Sequence, residues 1–131
     1  MRLEVCVLAM LLAVSLSARS NTIAPAGPGQ ASAWVKPCEL FVAQAGKPDK
    51  LNADEQVGAA MCQGIFTGLA AVNYIDPPWL PFCERETDTP LEYARIFLAF
   101  MRVNPTFGNR QLGIVLMVAL SKARPKEQCT K

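Results

Sequence analysis

TPLEYARIFLAFMRVNP, Thr89 to Pro105, decides the fold class. Thr89 can accept a hydrogen bond from the orphan amides of a first helical turn, and Pro90 at the first helical position loses nothing by lacking an N–H. Glu92 sits where a capping box needs its acid. At the other end Asn104 precedes Pro105 and is disfavoured in the helical region, so the spacing predicts a helix over 90–103. Apart from the hydroxyl of Tyr93, its polar side chains are Glu92, Arg95 and Arg102, which form one narrow stripe together with Ala99. The rest of its surface is apolar, an arc wider than a surface helix of a small monomer requires. Either a second copy of the chain covers part of it, as in a homodimer, or the other helices surround it.

No stretch after Ala33 shows the strict alternation of a half-buried strand. A first helix is expected over Lys36 to Ala45, with Pro37 in its first turn and Leu40, Phe41 and Ala45 facing inward behind Trp34; Gly46, Lys47 and Pro48 end it. Asn52 and Glu55 form a capping-box pair that opens a second helix, Ala53 to about Tyr74. Along it Ala60, Gly64, Gly68 and Ala71 make a small-residue face suited to a close helix crossing, within the chain or between subunits. The segment Ile75 to Asp88, with three prolines, is expected as a stiff loop. A fourth helix, Arg110 to about Lys122, capped by Asn109 or Thr106, is apolar on every side between Leu112 and Leu120 and reads as a buried core helix. The expected architecture is all-α, a compact bundle of four main helices.

Met1 to Ser20 reads as an export signal: Arg2 in a short n-region, an apolar run from Val5 to Leu16, and small residues before a cut after Ser20, or after Ser17 or Ala18. The run is shorter than a membrane-spanning helix, so no anchor is expected once the signal is cleaved. Cys6 leaves with it. Asn21 to Ser32, punctuated by proline and glycine, is expected as a flexible linker, and 33–131 as one domain. Four cysteines remain, Cys38, Cys62, Cys83 and Cys129, without the close spacing that zinc sites favour, so two disulfides are expected. Of the three possible connectivities, antiparallel third and fourth helices favour Cys83 with Cys129, leaving Cys38 with Cys62.

The chain carries 13 basic and 11 acidic side chains and no histidine. Removing Arg2, Glu4 and Arg19 with the leader brings it near neutrality, which gives no reason to expect nucleic acid. Without histidine the commonest general base and zinc ligand is missing. Asp54 and Glu55 are adjacent on a helix and point apart, and Ser121 and Thr67 have no activating partner. No catalytic residue, metal or cofactor is expected.

Cys62, Gly64 and Gly68 in the second helix, the Phe82-Cys83 pair, the helix ending at Asn104-Pro105, the Ala119-Leu120 pair and the closing Pro125 and Cys129 together resemble the Rap/Tai family of immunity proteins. The likeness runs from Trp34 to Cys129. It implies a small exported helical protein of the periplasm, commonly dimeric, that binds a peptidoglycan amidase effector delivered by type VI secretion and occludes its active site. Two regions are candidates for contact with that toxin: the Pro77 to Glu86 loop, with Trp79 and Arg85, and the turn from Asn104 to Arg110. Aromatic and arginine side chains on stiff loops lose little entropy on docking. A periplasmic helical chaperone is one alternative, although a chain with 18% charged residues and no histidine has little charge to switch. A hydrophobic-ligand carrier is the other, and a cavity among Phe97, Phe100 and Met117 would be its mark.

Overall fold

The computed structural model describes residues 27–45, 50–75, 80–85 and 87–129. The expected export signal, 1–20, and the first part of the expected linker lie outside the described residues. Among the described residues four α-helices follow one another: α1 (Ser32–Gln44), α2 (Ala53–Ile75), α3 (Pro90–Val103) and α4 (Leu112–Ala123). Short 3-10 helices occupy Pro105–Asn109 and Lys126–Gln128, and no strand occurs among the described residues beyond two isolated bridges, Gln30 with Gln111 and Phe82 with Pro125. The fold is all-α, and two disulfides, Cys38–Cys62 and Cys83–Cys129, cross-link it. No helix of the described residues is long and apolar enough to cross a membrane.

Pro90–Val103 is helical as expected, although the Glu92 carboxylate lies 3.5 Å from Arg124 Nη2 instead of bonding back to the Thr89 N–H. The Thr89 side chain accepts from the Glu92 N–H at 3.2 Å, and the Asn104 amide donates to the Phe100 carbonyl at 2.9 Å, closing the other end. α3 packs against α1, α2 and α4, so all of its wide apolar arc but Val103 at its end is packed within one chain. Tyr93, Ala94, Phe97, Phe100 and Met101 are buried, whereas Arg95, Ala99 and Arg102 face solvent beside a half-exposed Glu92. The arc therefore gives no ground for a second subunit on this helix. Around it Phe66 and Phe97 lie 6.4 Å apart between ring centres, and Phe82 stands edge-on to Tyr93 at 6.1 Å. Such tilted contacts add to the burial of the rings themselves.

At the start of α2 both halves of the capping box form: the Glu55 N–H donates to Asn52 Oδ1 at 3.0 Å, and the Asn52 N–H donates to Glu55 Oε2 at 3.1 Å. α1 differs from expectation. It begins at Ser32, which puts Pro37 inside the helix and removes the donor that the Ala33 carbonyl would otherwise use. Opposite it lies Gly58 of α2, where an added Cβ would stand 3.8 Å from the Pro37 Cα, an ordinary contact distance at which a methyl group fits. The Cys38–Cys62 bridge joins the same two helices. Ala45 lies beyond the helix end and is exposed rather than facing inward.

The expected linker, Asn21 to Ser32, is shorter than read. The Ala31 N–H donates to the Arg110 carbonyl and the Leu112 N–H to the Gly29 carbonyl, both at 2.9 Å, while Trp34 Nε1 donates to the Pro28 carbonyl at 2.7 Å. These bonds seat 27–31 on the start of α4 and bury Ala31 completely. α4 is capped by neither Thr106 nor Asn109; its N-cap is Gln111, with no side-chain bond. It is also not wrapped on every side, since Ile114 is 54% exposed.

Candidate functional site

Of the residues read as toxin contacts, Arg85 precedes the start of α3 while Asn104 and Arg110 follow its end, and the 14-residue helix between them rises about 20 Å. Trp79 lies outside the described residues. Arg85 is exposed in the loop that precedes α3, where its N–H donates to Asp88 Oδ2 at 2.9 Å. Asn104 and Arg110 sit at the far end. The structure does not bring Arg85 together with them.

The end near Arg85 is built around a buried ion pair. Arg124, just past α4, reaches Asp88, whose side chain is 1% exposed, and its second amino group lies 3.5 Å from Glu92. The Cys83 N–H donates to the Arg124 carbonyl at 2.9 Å, and the Cys83–Cys129 bridge closes the same region. Beside it the Tyr93 hydroxyl donates to Glu84 Oε1 at 2.9 Å. Burial, then the bond to Glu84, pushes the Tyr93 hydroxyl well above its ordinary range, because both penalise a phenolate there. Every acid of this cluster has a partner, so its chemistry is that of a clamp on the loop and the tail.

The other end is a surface. Asn104 spends its side chain capping α3, so it shapes the turn more than it offers a contact. Arg110 is exposed, and its backbone is fixed from both sides, its N–H donating to the Phe107 carbonyl and its carbonyl accepting from Ala31. Flanking the turn, Val103 is 75% and Ile114 54% exposed. Neither stood out in the sequence, because each reads as part of an apolar helix face. Next to the turn a cleft of about 330 Å3 opens between α1, α3 and the first 3-10 helix. Val35, Leu98, Met101 and Pro105 give it apolar walls, and Glu39 and Arg102 stand at its edge.

A second exposed apolar surface runs along the outside of α2. Val57, Met61 and Val72 are 60%, 52% and 53% exposed, and between them lie Ala60, Gly64, Gly68 and Ala71, all exposed. Among the described residues nothing lies within 4 Å of where a Cβ would stand on Gly64 or Gly68, so none of the four helices crosses that face. No charged side chain occurs between Gln56 and Ile75.

Elsewhere the groups considered for chemistry are engaged in structure. Glu55 completes the capping box, the Ser121 hydroxyl donates to the Met117 carbonyl at 2.7 Å, and the Thr67 hydroxyl to the Gln63 carbonyl at 2.9 Å. Among the described residues no cluster of three potential ligands could hold a metal. Phe97 and Phe100 are buried against neighbouring rings, and the cleft described above is lined by other residues than the three a carrier cavity was expected to use. No protein-family model, curated protein or solved structure matches the chain.

Proposed function

We propose that this chain is an immunity protein of the periplasm that binds a peptidoglycan amidase effector of type VI secretion and covers its active site. The observation that carries the reading is the far end of the α3–α4 hairpin: two exposed apolar side chains, Val103 and Ile114, on either side of a turn fixed by backbone hydrogen bonds, with Arg110 between them. A docking surface gains affinity when its anchors are already held in place, since less freedom is lost on binding. The two disulfides fit an oxidising compartment, and the resemblance from Trp34 to Cys129 supplies the class of partner. The protein acts as a homodimer through the outer face of α2, which leaves the hairpin end open to the toxin.

Titrating the oxidised protein into such an amidase, with peptidoglycan hydrolysis as the readout, tests the proposal. Stoichiometric inhibition is expected, and Val103→Asp or Arg110→Glu should weaken it at least about tenfold, equivalent to about 1.4 kcal/mol, without changing the melting temperature. Inhibition by neither the protein nor its variants across a panel of these effectors defeats the reading. A co-purifying apolar ligand would point to the carrier instead.

A further inference from the structure

The cleft beside the 104–110 turn has three properties that together describe an occupant. Its walls are apolar, from Val35 on α1, Leu98 and Met101 on α3, and Pro105, and its volume of about 330 Å3 lies at the low end of the range for sites that enclose a small ligand. One large side chain fits such a space. The walls are also fixed: Gly108, buried on the turn, stands so close that a Cβ there would be 3.2 Å from that of Ser32, and Cys38, next to Glu39, is bridged to α2. Finally, Glu39 on one helix and Arg102 on the other edge the opening, both exposed, and neither forms an ion pair among the described residues. A purely anionic amphiphile would meet Glu39, and a purely cationic one would meet Arg102. Both rim groups are satisfied at once only by an occupant carrying both signs.

We propose that this cleft receives a segment of a protein partner in which a large apolar side chain is flanked by one acidic and one basic residue, the acid on Arg102 and the base on Glu39. The inference rests on the immunity reading, in which that partner is the toxin, and names the chemistry of its docking segment. The apolar anchor supplies most of the affinity; exposed charges fix the direction of the segment and exclude wrong ones.

Methionine-methyl NMR of the full oxidised protein tests it directly, because Met101 lines the cleft while Met61 lies on the outer face of α2 and serves as an internal control. The probe is the peptide acetyl-Glu-Phe-Lys-amide. It should shift the Met101 methyl saturably, with a Kd of order 1 mM, and leave Met61 in place. Replacing the peptide's phenylalanine by alanine should abolish the shift, and the exposed-site variants Arg102→Gln and Glu39→Gln should each weaken it several-fold. Val35→Trp, which fills the cleft, should remove binding in a protein that still melts cooperatively. No Met101 shift, an equal shift of Met61, or an equal response to the alanine peptide overturns the proposal. Peptide binding without inhibition of any amidase keeps the cleft and sinks the immunity reading. Inhibition that Val35→Trp leaves intact, with no peptide shift, does the reverse.

Discussion

Single side chains around Arg124 decide how the loop before α3 and the C-terminal tail hold together. Asp88 is buried and faces a guanidinium, so Asp88→Asn leaves Arg124 nearly buried with only the half-exposed Glu92 as a counter-charge. Removing one partner of a buried pair costs about 3–5 kcal/mol, more than the pair itself contributes, because the remaining charge is uncompensated. Chemical denaturation should show a loss of that size, and the double variant Asp88→Leu with Arg124→Met should recover part of it. Tyr93 sets a different dependence. Its folded-state pKa is raised above the unfolded value of 10.0, so its contribution is complete below that pH and declines above it, as the unfolded chain ionises and the folded one does not. Stability measured from about pH 9 to 11 should therefore fall more steeply in the wild type than in Tyr93→Phe. Little of this cluster was legible in the sequence: Asp88, Glu92 and Arg124 are ordinary surface residue types, and only the fold brings a side chain 36 positions away onto Asp88.

At the scale of elements, local chemistry was legible and helix-to-helix approach was not. The capping box at Asn52 and the threonine cap at Thr89 formed as read, since they depend on residues three apart, but the Glu92 carboxylate turns to Arg124 instead of reaching back to Thr89. The start of α1 did not, because it depends on the arm 27–31 being bonded to the start of α4, a contact made by backbone groups that carry no sequence signature. The small-residue face of α2 was legible as a pattern, but which neighbour used it was not: Gly58, two positions before Ala60 and off the stripe, is where α1 approaches, while Gly64 and Gly68 face outward. Glycine in a helix costs about 0.5–1 kcal/mol relative to alanine. At Gly58 the nearest atoms to an added Cβ are 3.8–3.9 Å away, ordinary contact distances, so the approach stops just short of forbidding a methyl group. Gly58→Ala should accordingly raise stability by a few tenths to about 1 kcal/mol in thermal melts, and a loss of more than about 1 kcal/mol would mean that the two helices are closer than these distances indicate.

For the molecule as a whole, the bridges and the outer face of α2 answer different questions. The Cys38–Cys62 and Cys83–Cys129 bridges span sequence separations of 24 and 46, and restricting unfolded loops of those lengths is worth about 3.5 and 4 kcal/mol in the chain-entropy account. Replacing both cysteines of the longer bridge by alanine should lower stability by about that amount and free the tail after Arg124. In the proposed homodimer the α2 face is the contact. A two-fold interface brings a surface against its own copy, so it must be self-complementary. An axis near residue 66, with two α2 helices antiparallel, sets Gly64 against Gly68, Met61 against Ala71 and Val72 against Ala60: small meets small at the centre, large meets small toward the ends, and no charge meets its like. Gly64→Leu tests this arrangement without disturbing the core, since none of the described residues lies within 4 Å of the new Cβ. Leucine is also a better helix former than glycine by nearly 1 kcal/mol. Sedimentation should therefore show the wild type as a dimer and Gly64→Leu as a monomer that melts no lower than an isolated wild-type chain. A variant that remains dimeric, or a wild type that never dimerises at high concentration, removes α2 as the contact.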